Sequence, residues 1–258
     1  MNKIIKKMKT TICAIAALFL VATSVNAQDK SMPVTITTKA DLVSSYVWRG
    51  MYESGASVQP TLGMSVGNFS LTAWGSVDMT GQGYKETDIT ASYTIKGATI
   101  YLTDYWWAGQ SGIYNSRKDG NNNYFQVDNH KTDHILEAGI SYTIPIQSFP
   151  LNLSWNTMFW GNDKKTTSGD KTENAYSSYT EISCPFTTNN TTILPAIGCS
   201  IFDSPGNYKN TGFAVTDISL KASRYIKIND KFSVPVFGQL IWNPNREDVH
   251  FVFGITLQ

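Results

Sequence analysis

Charge is scarce in this 258-residue chain. Asp, Glu, Lys and Arg together make up 16% of it, against roughly 25% in ordinary soluble domains. Histidine and cysteine are scarcer, at three each, which leaves little material for a metal or thiol centre. A formal net charge of +1 provides no basic face of the kind a general nucleic-acid binder needs, so no nucleic-acid partner is expected. Beyond residue 27, no apolar run reaches the roughly 18 residues of a membrane-spanning helix. The sequence also has no Gly-rich phosphate cradle, Cys-x-x-Cys pair or Gly-x-Ser-x-Gly elbow, and no cofactor is expected. Disorder is excluded by 13 Tyr, 12 Phe and 7 Trp, a composition opposite to that of chains that cannot bury a core.

What is present begins with a leader. Lys3, Lys6, Lys7 and Lys9 precede an apolar run from Ile12 to Ala22, followed by Thr-Ser-Val-Asn-Ala27 with small residues at −3 and −1 of a cut before Gln28. This is the three-part pattern of a cleaved secretory signal over residues 1–27. The run is too short for an anchor. Cys13 lies inside it rather than after a cleavage site, which argues against a lipoprotein. Removing those four lysines from the 21 basic residues leaves a formal charge of −3 against the 20 acids.

Period-2 alternation runs through the rest. Val34, Ile36, Ala40, Leu42, Tyr46 and Trp48 share one parity. Thr35, Thr37, Lys39, Asp41, Ser45 and Arg49 share the other. Val249, Phe251, Phe253, Ile255 and Leu257 repeat the apolar parity near the end. Half-buried strands read this way. Twelve are expected, at 34–49, 57–66, 69–78, 84–95, 98–107, 133–143, 151–160, 175–186, 193–202, 213–226, 231–242 and 249–258. Short links such as Gly67-Asn68 and Lys96-Gly97 alternate with longer ones, of which 108–132 is the longest.

Short turns on one side and longer loops on the other are the plan of an outer-membrane barrel. Lipid cannot hydrogen-bond an open sheet edge, so membrane strands must close. The expected fold class is therefore all-β, a closed antiparallel transmembrane β-barrel of about 12 strands, with 10–14 allowed. Residues 28–258 form it as one domain. Tyr46, Trp48, Trp106, Trp107, Phe159, Trp160, Tyr176 and Trp242 fall toward the long-loop side. Phe69, Tyr93, Tyr142, Phe149, Phe186 and Phe232 fall toward the short-turn side. Two aromatic girdles at the headgroups are expected of such a barrel. A secreted β-sandwich shares the alternation but needs neither the girdles nor the alternating loop lengths. Pro60, Pro185, Pro195 and Pro235 lie inside the expected strands, and each removes a ladder hydrogen bond.

Residues 40–78 carry a more specific pattern: Ala-Asp-Leu-Val-Ser-Ser-Tyr-Val-Trp-Arg-Gly-Met, then Gln59-Pro60-Thr-Leu, then Asn68-Phe-Ser-Leu-Thr-Ala-Trp-Gly-Ser76. This stretch resembles the opening of the TorF-type porins, the Gcw_chp family, and is similar in style to Bacteroidetes outer-membrane proteins. The matching positions are Ser44, Tyr46, Arg49, Gly50, Gln59, Pro60, Trp74, Gly75 and Ser76. The chain has Ser45-Tyr46 where the family often has Asp-Tyr. The resemblance implies an outer-membrane location and a porin-type barrel. The terminal strand resembles the signal read by the barrel-assembly machinery, the expected partner alongside outer-membrane lipid. Here Gln258 follows Leu257 in place of a final aromatic.

With the apolar parity toward lipid, Lys39, Asp41, Arg49, Asp78, Glu86, Asp88, Asp133, Glu137, Glu181, Asp217 and Lys221 face the lumen. Such charges either pair or line water. One expectation is a narrow, net acidic path for small solutes or ions, since acidic rings favour cations. The other is a lumen plugged by salt bridges, with Arg49 on Glu86 or Asp88, in a structural or ligand-binding barrel. A lipid-modifying enzyme would need a base at the rim, where His134 stands, but no serine motif accompanies it. Cys184 and Cys199 fall on neighbouring strands, and an exported chain meets an oxidising compartment, so a disulfide between them is considered.

Overall fold

A computed structural model of the chain describes residues 32–80, 85–108, 124–129, 131–146, 149–167, 172–230 and 232–258. The leader at 1–27 and most of the long 108–132 link lie outside the described residues.

The described residues form a closed, twelve-stranded antiparallel barrel without helices. Its strands are β1 (Val34–Val43), β2 (Ser57–Val66), β3 (Phe69–Asp78), β4 (Lys85–Ile95), β5 (Ala98–Ala108), β6 (His134–Ile144), β7 (Leu151–Gly161), β8 (Ser178–Ser183), β9 (Thr191–Ser200), β10 (Ala214–Asn229), β11 (Phe232–Asn243) and β12 (Asp248–Leu257). Each pairs with its neighbours in sequence, and β12 returns to β1. That last seam is short. It has four residue pairs, Ala40–Leu257 to Val43–Gly254, whereas β1–β2 has ten. Ser44 extends it by one step, its amide donating to the Phe253 carbonyl.

The prolines account for the gaps in the ladder. Cys184-Pro185 interrupts β8, and the chain resumes pairing on β9 at Phe186–Thr188 in the same register. The β2–β3 pairing skips Gln59 and Pro60. The β11–β12 pairing begins one residue after Pro235.

Parity is read out as burial. Ile36, Leu62, Ile100, Ile140, Ile197, Leu220, Leu240, Phe251 and Phe253 are exposed on the outer face, a continuous apolar belt that no soluble barrel would leave to water. Phe159, Tyr176 and Trp242 are exposed toward the long loops, and Tyr93, Tyr142, Phe149, Phe186 and Phe232 toward the short turns.

Three aromatics depart from this. Tyr46, Trp48 and Trp107 pack inside the barrel rather than in a girdle. For Trp107 the cause is parity: it follows Thr103 and Tyr105, which are buried in the lumen. For Tyr46 and Trp48 the cause is that the expected first strand, 34–49, is two elements. β1 stops at Val43, and Tyr46–Trp48 pairs with Met51–Ser54 in a separate hairpin. This hairpin folds into the barrel mouth on the long-loop side. Asp133 precedes β6 and is not a strand residue.

Candidate functional site

The inserted hairpin is the element on which the lumen is organised. Its turn is Arg49-Gly50, with φ of 50° and 78°. Two consecutive left-handed residues between directly paired Trp48 and Met51 have the φ signature of a type I′ hairpin turn. Gly50 is required twice over. A Cβ there would lie 1.7 Å from the carbonyl oxygen of Thr216 on β10, and left-handed backbone is costly for other residues. The Gly50 carbonyl accepts from Nδ2 of the buried Asn243 on β11 at 3.0 Å.

The turn delivers the guanidinium of Arg49 across the lumen to Glu137 on β6. Nη1 donates to Oε2 at 2.6 Å and Nη2 to Oε1 at 2.8 Å, the bidentate geometry that planar guanidinium favours. Nη1 also donates to the Tyr208 hydroxyl at 2.6 Å. The Tyr105 hydroxyl donates to Glu137 Oε1 at 3.0 Å. The guanidinium carbon lies 4.4 Å from the ring centre of Trp48 and 4.6 Å from that of Tyr179. Glu137 and Tyr208 are each 1% exposed. A buried pair of this kind is held by its additional hydrogen bonds, because desolvation alone would oppose it.

Around this pair the long-loop half of the lumen is filled. Met51, Tyr179 and Tyr208 form one cluster with Trp48. Tyr105, Ile135 and Met158 form another with Trp48 and Trp107. Beneath the turn, Val47 packs on Val43, Ile241 and Val252, with Phe237 below. That apolar belt lines the wall of β11, β12 and β1 where the hairpin seats.

The candidate lumen residues fall into two groups. Asp78, Glu86, Asp88, Glu137 and Asp217 are buried inside the barrel. Glu86 and Asp88 sit beside Tyr46 and Trp107. Among the described residues no base forms an ion pair with either; Arg49 pairs with Glu137 instead of Glu86 or Asp88. The cause is the hairpin, which carries Arg49 past β4 to the far wall. Glu181 accepts from the Tyr179 hydroxyl at 3.0 Å. Lys39, Asp41 and Lys221 lie in the other group, toward the short turns, with Lys39 and Asp41 paired at 3.4 Å.

Of the nine positions of the 40–78 pattern, Tyr46, Arg49 and Gly50 belong to the hairpin, whereas Pro60 is exposed. Tyr46 packs on Trp74 at 5.5 Å. Gln59 Nε2 donates to Ser76 Oγ at 3.4 Å. The Ser44 hydroxyl accepts from the Phe253 amide at 3.0 Å. A Cβ at Gly75 would lie 3.0 Å from the Glu86 carbonyl.

His134 lies on the outer rim and does not meet the requirements of a base. Nδ1 faces Asp104 Oδ1 at 2.8 Å and Nε2 faces the Tyr124 carbonyl at 2.6 Å. Both partners are acceptors, which is the arrangement of a doubly protonated ring with no lone pair to offer. Cys184 and Cys199 are free thiols, which overturns the disulfide considered above. Cys199 pairs with Thr180, and the Cys184 amide donates to Pro195. Four residues of strand therefore separate the thiols, about 13 Å, and a disulfide needs Cα atoms within about 7 Å.

Sequence reasoning missed Tyr105, Tyr179 and Tyr208. The first two sit on the polar parity of their strands, where a buried aromatic was a readable signal. Tyr208 lies in the 201–213 link, where alternation gives none.

No protein-family model matches the chain, and no curated protein sequence matches it. The 40–78 pattern therefore stands as a resemblance. Among solved structures, a NanC porin is similar over 86% of this chain and 98% of its own, at 6% identity and a TM-score of 0.49. A triple mutant of the Rhodopseudomonas blastica porin is similar over 83% of this chain and 61% of its own, at 15% identity and 0.36. CdiB from Acinetobacter baumannii is similar over 87% of this chain and 60% of its own, at 10% identity and 0.41.

Proposed function

We propose that this chain is an outer-membrane barrel of porin type that passes small solutes or ions through a narrow lumen, with the hairpin 46–54 as the closure on the extracellular side. The observation that carries this reading is the seating of Arg49 on Glu137 beneath an apolar exterior: a charged tip in a lumen, not a hydrophobic core. The leader at 1–27 and the resemblance at 40–78 support an outer-membrane location. Asp78, Glu86 and Asp88 surround the hairpin, so a path opened there runs along acids and favours cations. The near-complete burial of Glu137 and Tyr208 favours a second state in which the same barrel is closed at rest.

Conductance of the refolded mature protein in a planar bilayer tests this, beside a variant with residues 46–54 replaced by a short Gly-Ser link. The expected result is rare or small steps in the parent and larger, frequent steps in the variant. Reversal potentials in a salt gradient should show cation preference that weakens in Glu86→Gln and Asp88→Asn. A heat-modifiable barrel that inserts but never conducts in either form overturns the channel reading.

A further inference from the structure

Below the apolar belt the lumen opens toward the short turns as a cavity of about 270 Å³. Its charge is opposite to that of the hairpin half. Lys39, Asp41 and Lys221 line it, with the hydroxyls of Thr192, Ser223 and Thr256 and the ring of Phe237. Asp41 is already engaged: Lys39 Nζ lies 3.4 Å from it, and the Thr256 hydroxyl donates to it. Lys221 is not. Its Nζ stands 4.0 Å from the ring centre of Phe237, and no carboxylate lies within ion-pair distance of it among the described residues.

An ammonium held over an aromatic face, half withdrawn from water and sharing its nearest carboxylate with Lys39, leaves the cavity with more positive than negative charge. The cavity has room for about nine water volumes, enough for an anion of several heavy atoms. Above it, Val43, Val47, Ile241 and Val252 pack together on the same wall, and the buried acids of the hairpin half lie beyond them.

We infer that this vestibule is a binding site for a small anion, a carboxylate or a free phosphate, with Lys221 as its charge partner, Lys39 at its rim and Ser223 and Thr192 as hydroxyl donors. The inference goes beyond solute passage and does not need it: the vestibule binds whether or not the hairpin ever leaves its seat.

Calorimetric titration of the refolded, detergent-held mature protein tests it with succinate, inorganic phosphate and the uncharged succinamide as probes. Saturable binding of succinate or phosphate at one per barrel is expected, with no binding of succinamide. The probe that binds more tightly identifies the carboxylate or the phosphate as the better occupant. Lys221→Gln should weaken that binding at least tenfold. Lys227→Gln makes the same charge change at an exposed, ion-paired position on the same side and should leave binding intact. Heat-modifiability establishes that each variant folds. Absence of binding for both anions, equal binding of succinamide, or binding indifferent to Lys221→Gln overturns the inference. None of these readouts depends on conduction, so a silent channel and an empty vestibule are separate results.

Discussion

Arg49 and Glu137 meet across the barrel lumen in two parallel hydrogen bonds of 2.6 and 2.8 Å, although 88 residues separate them in the chain. Glu137→Gln removes the charge and leaves the guanidinium buried without a carboxylate. Removing one partner of a buried pair costs about 3–5 kcal/mol. Urea unfolding of the refolded protein is expected to show a loss of that size. The double variant Arg49→Met/Glu137→Leu is expected to be less destabilised than Glu137→Gln, because no orphaned charge remains. A double-mutant cycle over the parent, Arg49→Met, Glu137→Leu and the double variant gives the coupling.

Gly50→Ala places a methyl group against the Thr216 carbonyl and in left-handed backbone. Gly50 lies in the turn of the inserted hairpin and not in a wall strand, so the variant should fold and show heat-modifiability. The hairpin should sit higher in the mouth, and open events in a planar bilayer should become more frequent than in the parent.

Glu53, on the second arm of the hairpin, supplies a pH dependence. Burial lifts its carboxyl to about 7 from an ordinary 4.5, against the opposing pull of Arg246. Its folded pKa lies above its unfolded one, so the seated hairpin favours the neutral form. The cost of holding the carboxylate is absent below about 4.5, grows between about 4.5 and 7, and is complete above that. Thermal unfolding from pH 8 to pH 5 should rise in midpoint, and Glu53→Gln should flatten the rise.

Cys184 and Cys199 should titrate as two thiols per mature chain after denaturation without reductant. Mobility on a non-reducing gel should not change on reduction. A single disulfide per chain would contradict the register of β8 and β9.

The barrel was legible because its cause is local: alternation sets which face each side chain takes, and short links set which strands pair. Asp78, Glu86, Asp88, Glu137 and Asp217 are buried although charged, on the parity opposite to that of their apolar neighbours. The hairpin was not legible, and the reason is specific. Val34 to Trp48 keeps its parity through Ser44 and Ser45, so period-2 reading carries the strand straight through a break. Lys96-Gly97, with φ of 49° and 83°, reads as a tight turn because hydrophobic strands flank it on both sides. Arg49-Gly50 has the same two-residue geometry, but its arms are three and four residues long, too short to announce strands. Its stability comes from Glu137, Asn243 and Tyr208, none of them near it in sequence. A turn held by distant partners leaves no local pattern to read.

The seam between β1 and β12 has one further consequence. Below Ala40, β1 runs on for Val34–Lys39 with no residue of β12 opposite it, while its other side is paired with β2 down to Val34. Few hydrogen bonds hold this junction, so it is expected to open at low free-energy cost. Amide exchange at Ala40 to Val43 should outpace that of the β10–β11 ladder. Among the described residues, Val34–Lys39 is thus held into the barrel from one side alone, so this end of β1 should be the first part of the wall to fray.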